Sequence, residues 1–113
     1  MAESLMTETG TTYLCDVSDI PLGEAKRIDL EGRDPIGLFN LDGDFHAIDD
    51  ICSHGNASLC EGEIDVEEGI VECPFHSGCF DIRTGRAVSA PCILPVRVWP
   101  ITIVDGKVYL KSE

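Results

Sequence analysis

Short β-type runs, cut every few residues by Gly, Asp or Pro, set the limits on what this chain can become. Residues 12–17, 25–30, 35–41 and 45–49 have the β-branched and aromatic content of strands. The last two flank Asp42-Gly43, and residues 96–104 and 107–111 flank Asp105-Gly106; such pairs favour a tight two-residue hairpin. Residues 63–66 and 69–73 read as a further hairpin, while 79–82 and 86–88 flank the turn Arg83-Thr84-Gly85. No segment sustains a 3.6-residue apolar period over a helix length. The pattern implies an all-β protein, and 113 residues with 43% hydrophobic content suffice for one domain, residues 1–113, with one core.

Charge narrows the function classes. Eight Lys and Arg stand against 21 Asp and Glu, a formal net charge of −13. Nucleic acid and anionic membrane surfaces attract basic patches, so neither is an expected partner. A positively charged protein surface is. The first ten residues carry Glu3 and Glu8, no basic residue and no apolar run, so a secretory signal is not expected there. No apolar stretch approaches the roughly 20 residues that span a bilayer. The expectation is a cytoplasmic protein, in which six cysteines serve as metal ligands or buried thiols and not as a disulfide framework.

The acids are concentrated. Between Asp34 and Asp81 lie twelve of them and no Lys or Arg. Inside that stretch stand Cys52-Ser53-His54 and, after eighteen residues, Cys73-Pro74-Phe75-His76. Two thiolates and two imidazoles on two tight loops can converge on one metal site. A structural zinc accepts that donor set. So does a 2Fe-2S centre in which two His replace two Cys on one iron. The order of donors favours the second, because each loop supplies one Cys and one His. Common zinc modules pair Cys with Cys on one element and His with His on another.

The runs Cys52-Ser53-His54-Gly55, Cys73-Pro74-Phe75-His76-Ser77-Gly78 and Phe80-Asp81-Ile82-Arg83-Thr84-Gly85 resemble those of Rieske-type ferredoxins, which serve bacterial multicomponent dioxygenases that hydroxylate aromatic rings. The likeness extends from about Thr12 to Leu110. It implies the Rieske fold, stacked antiparallel sheets with a small cluster-binding subdomain at about residues 47–88. It implies that Cys52 and Cys73 hold a buried iron, that His54 and His76 hold an outer iron near the surface, and that Ala90-Pro91 belongs to a loop closing over the cluster. The implied partners are a flavin-containing, NAD(P)H-dependent reductase and a terminal oxygenase, served by a monomeric shuttle.

Departures from the respiratory Rieske proteins concern the potential. Those proteins brace the cluster with an extra cysteine in each loop, and Ala57 and Phe75 occupy the matching positions here. They also place a Ser and a Tyr hydroxyl near the cluster, and the matching positions here are Gly78 and Phe80. Hydrogen bonds to cluster sulfurs raise the potential, so a value near the low end of the Rieske range, about −150 mV, is expected.

The chain lacks a Gly-rich dinucleotide fingerprint, so it does not oxidise a nicotinamide itself. A mononuclear iron oxygenase needs two His and a carboxylate at its active iron. Three His less two cluster ligands leaves only His46. What remains is a carrier of single electrons, with no catalytic site of its own. Two other readings stand beside it: a small Rieske subunit of another reductase, such as nitrite reductase, and a zinc-stabilised interaction module.

The remaining residues have plainer expectations. His46 alternates with apolar neighbours and is expected on the exposed side of a strand. Cys15, Cys60, Cys79 and Cys92 are expected as small buried hydrophobes, with Cys79 near enough to His76 to tune the cluster. Trp99 and Tyr109 should pack the C-terminal strands or cover their face. Phe75, between two ligands, is a candidate docking residue, and the acids around the ligand loops are expected to dock basic partner surfaces.

Overall fold

The computed structural model describes residues 11–52, 57–74, 78–89 and 94–111. It contains ten strands: β1 Thr11–Asp16, β2 Ala25–Ile28, β3 Ile36–Leu41, β4 Asp44–Asp49, β5 Glu63–Asp65, β6 Ile70–Glu72, β7 Cys79–Asp81, β8 Val98–Trp99, β9 Ile101–Val104 and β10 Lys107–Lys111. Two single 3-10 turns, Val17–Asp19 and Leu59–Glu61, are the only helical turns among the described residues.

Three antiparallel sheets result, ordered β1-β10-β9, β2-β3-β4-β8 and β5-β6-β7. Strand β3 shows how they stack. All six of its residues are buried. Ile36 and Leu38 join one apolar cluster with Leu14, Ile20, Ala47 and Val108. Phe39 and Leu41 join another with Ile48, Val71, Phe80 and Ile82. Alternate side chains thus leave opposite faces of the middle sheet, and each face is covered. Asn40 is buried too, and both ends of its amide are used: Nδ2 donates to the Ile20 carbonyl at 2.8 Å, and Oδ1 accepts from Gly43 N–H at 2.7 Å.

Both Asp-Gly turns take the left-handed geometry that a two-residue hairpin demands. The φ angles are +55° and +103° at Asp42 and Gly43, and +52° and +76° at Asp105 and Gly106. In β1 the register with β10 slips between Tyr13 and Cys15, so consecutive Leu14 and Cys15 both point inward.

Two expected strands differ. Residues 96–104 form β8 and β9, broken at Pro100, with β8 on β4 and β9 on β10. Pro100 has no N–H to give a ladder; its carbonyl accepts from Lys111 N–H at 2.9 Å, and the chain changes sheets there. Residues 86–88 make a single bridge, Ala87 to Phe80, because Asp81 holds the tight turn: its Oδ1 accepts from the N–H groups of Arg83 and Thr84 at 2.8 and 3.1 Å. Among the described residues no helix is long and apolar enough to cross a membrane.

Candidate metal centre

Cys52 and Cys73 are 2% and 1% exposed, and both belong to the cluster between the middle sheet and β5-β6-β7. Each begins a loop of the same length closed in the same way. Cys52 N–H donates to the Ala57 carbonyl at 2.9 Å, and Cys73 N–H donates to the Gly78 carbonyl at 2.7 Å. Below these closures the stems also correspond. Ile51 bridges Ser58, and Glu72 pairs with Cys79. Two antiparallel stems of equal register therefore carry the two motifs to one apolar cluster. His54, His76 and Phe75, with Ala90, Pro91 and Cys92, lie outside the described residues.

The stems are stabilised differently. The second is the ladder β6-β7, three pairs long, with Val71 and Phe80 fully buried on its inner face. The first has one bridge and depends on Asp50, which is fully buried. Its Oδ1 accepts from Ser58 Oγ at 2.8 Å and Cys60 N–H at 3.1 Å, and its carbonyl accepts from Leu59 N–H at 2.7 Å. Oδ2 has no hydrogen-bond partner and sits 3.8 Å from Arg27 Nε. Just beyond the first stem, Gly62 packs closely against the Glu72 backbone of the second, where a Cβ would clash with the carbonyl oxygen. Only glycine permits that approach.

Several expectations change here. Asp50 is no part of a solvated acidic face, and the Asp49 carboxylate is engaged by Trp99 Nε1–H at 2.8 Å and Arg97 N–H at 3.1 Å. The surface acids lie elsewhere: Glu61, Glu63 and Glu72 line a depression reaching Cys73 and Pro74. Glu63 stands directly across from Glu72 in the β5-β6 pair, a like-charge apposition that costs stability.

His46 is half-buried and not exposed, because its side of β4 is the one that the third sheet covers. Its Nε2 is buried with no hydrogen-bond partner. Burial first, and then Arg83, lower its pKa, against the opposing pull of Asp44 and Asp81. Cys15 is buried as expected, whereas Cys60 and Cys79 are partly exposed. Burial, reinforced by a hydrogen bond to Asp50, pushes the Cys60 thiol far up and leaves it a poor nucleophile. Trp99 and Tyr109 pack the C-terminal strands as expected, the latter edge-on to Tyr13 with ring centroids 6.0 Å apart.

Residues 10–100 match the family model of the Rieske [2Fe-2S] domain. The chain belongs to that family. As a Rieske protein it carries one 2Fe-2S cluster, and two buried thiols at the bases of matched loops fit that group. It is 43% identical over 98 residues, 87% of this chain and 90% of the relative, to the 3-phenylpropionate/cinnamic acid dioxygenase ferredoxin subunit of Escherichia coli K12. It superimposes on the Sphingomonas yanoikuyae B1 ferredoxin with a TM-score of 0.85 and 39% identity, covering 91% of this Rieske chain and 99% of that one. It also matches a chain of the complex of reduced oxygenase and oxidized ferredoxin in carbazole 1,9a-dioxygenase, with a TM-score of 0.86 and 35% identity over 93% and 95% of the two chains. These relatives are electron-transfer subunits, and so is this protein.

Proposed function

We propose that the protein is the low-potential ferredoxin of an aromatic-ring dioxygenase, passing single electrons from an NAD(P)H-dependent flavoprotein reductase to a terminal oxygenase. Its identity with a dioxygenase ferredoxin subunit over almost that whole relative carries the reading. In this proposal the chain is one domain, residues 1–113, whose cluster-binding part is about residues 47–88. Cys52 and Cys73 hold one iron and His54 and His76 the other. When bound, the cluster takes up and releases one electron at a time.

The chain's own residues do the rest. The apolar cluster around Cys52 and Cys73 keeps water from the thiolate side, which leaves the imidazole side as the electron's exit. Asp50 holds the first loop's stem, and the β6-β7 ladder holds the second. The exposed carboxylates of Glu61 and Glu63 give the ligand end a negative field for steering basic partners. The same exit serves reductase and oxygenase in turn, as befits a monomeric cytoplasmic shuttle.

Iron and sulfide analysis with an EPR spectrum of the reduced protein tests the centre. Two iron and two sulfide are expected, and one zinc in a colourless protein would overturn it. Turnover of 3-phenylpropionate or cinnamate by reductase plus oxygenase, with and without this protein, tests the pathway. Product formation that does not require the protein would refute that part.

A further inference from the structure

The molecule has an excess of carboxylates, yet among the described residues only Arg27 of its five arginines forms an ion pair, and two of the other four share an aromatic ring. Arg27 lies 3.0 Å from Asp29, and Lys107 lies 3.8 Å from Asp16. Arg33 and Arg97 make no ion pair among the described residues. Their guanidinium carbons instead stand 4.1 and 4.4 Å from the centroid of one ring, that of Trp99. The indole is itself fixed, since Nε1–H donates to Asp49 Oδ1 at 2.8 Å. Asp49 Oδ2 accepts from the Arg97 backbone N–H at 3.1 Å, so this carboxylate is occupied by the indole and the main chain. Arg33 and Arg97 are exposed, and with Asp34, Asp49 and Trp99 they line a depression of about 280 Å3.

Stacking on an aromatic face restrains a side chain that would otherwise lose much rotamer freedom on binding. It leaves the N–H fork of each guanidinium available for a carboxylate. Trp and Arg held this way are the residue types that dominate binding energy in protein interfaces. Along the chain the depression adjoins the first motif: Asp49 ends β4, three residues before Cys52.

We infer that the Arg33–Trp99–Arg97 depression is a docking contact for an acidic side chain of the terminal oxygenase. The inference rests on the function proposed above. Guanidinium groups here, with carboxylates elsewhere at Glu61 and Glu63, give the surface contacts of both signs, a pattern that fixes the orientation of a partner. Negative charge alone would only attract one.

The test measures the affinity of the holoprotein for its oxygenase and its reductase by titration calorimetry. The double variant Arg33→Gln/Arg97→Gln is expected to weaken oxygenase binding about tenfold, the effect of losing one charge-assisted contact. Its visible spectrum and its affinity for the reductase should not change. The variant Lys107→Gln/Lys111→Gln removes the same charge on β10 and should bind the oxygenase as the wild type does. Unaltered oxygenase affinity in the arginine variant, an equal loss in the lysine variant, or an equal loss towards the reductase would each overturn the inference. A wild-type protein that binds and reduces no oxygenase would overturn the functional reading and the inference together.

Discussion

The two ligand loops have the same frame and different foundations. Both close with a hydrogen bond from the cysteine N–H to a carbonyl five residues on, and both cysteines end in one apolar cluster. The second loop inherits its stem from a sheet. The first inherits its stem from one buried aspartate, whose carboxylate gathers Ser58 and Cys60 and whose main-chain carbonyl accepts from Leu59 N–H. A ladder spreads its free energy over many residues, whereas a buried charge concentrates it in one. The difference locates where each loop can be broken.

The largest effect belongs to the proposed ligands. Cys52→Ala or Cys73→Ala should abolish the cluster, read as loss of visible absorption and of the EPR signal. Retention of the signal in either variant would remove that residue from the ligand set. Next comes Asp50. Asp50→Ala leaves Ser58 Oγ, Cys60 N–H and the Arg27 charge without their buried partner and should cost on the order of 3 kcal/mol in urea unfolding. Asp50→Asn keeps a Oδ1 acceptor and should lose less. If both variants unfold like the wild type, the first loop does not depend on its carboxylate.

The polar residue beside the second stem should matter less. Asp81→Ala removes the one acceptor that serves two turn N–H groups near the surface and should cost about 1 kcal/mol, measured in the same way. A loss as large as that of Asp50→Ala would erase the contrast between the stems.

The smallest effect is pH-dependent and concerns the joint between the middle sheet and the second hairpin. The His46 pKa is lower in the folded chain than in the unfolded one, where it lies near 6.5. The unfolded state therefore binds more protons in the window below about pH 6.5, so folding stability falls as pH drops through it. Unfolding midpoints at pH 7.5 and 5.5 should differ less in His46→Gln than in the wild type. An unchanged difference would show that His46 does not report on this joint.

What the chain made legible was local. Hairpins at Asp42-Gly43 and Asp105-Gly106 follow from the φ values those residues tolerate, and most strand ends lie within two residues of expectation. The joint placement of Cys52 and Cys73 was legible for the same reason, since each begins one short loop. Non-local facts were hidden. Nothing near Asp50 distinguishes it from its eleven acidic companions, because its burial is created by β2, β3 and the 3-10 turn at Leu59–Glu61. His46 looks like an outward strand residue until a third sheet covers that side. The partners of Trp99 come from positions 33, 49 and 97, and only the fold brings them to one ring. Pro100 splits 96–104 into two strands, and that consequence depends on which sheets lie on either side.

The equal span of the two loops has a consequence for how such a centre can be varied. Within that shared span the histidines stand at different places, two residues after Cys52 and three after Cys73. The frames are therefore interchangeable sockets, while their contents are not copies of one another. With the proposed ligands, sequence drift inside a socket would change what is presented to the cluster, whereas a residue inserted there would break the equal span of the two sockets. Length variation has a tolerant outlet in the turn between β5 and β6, where residues 67 and 68 are exposed.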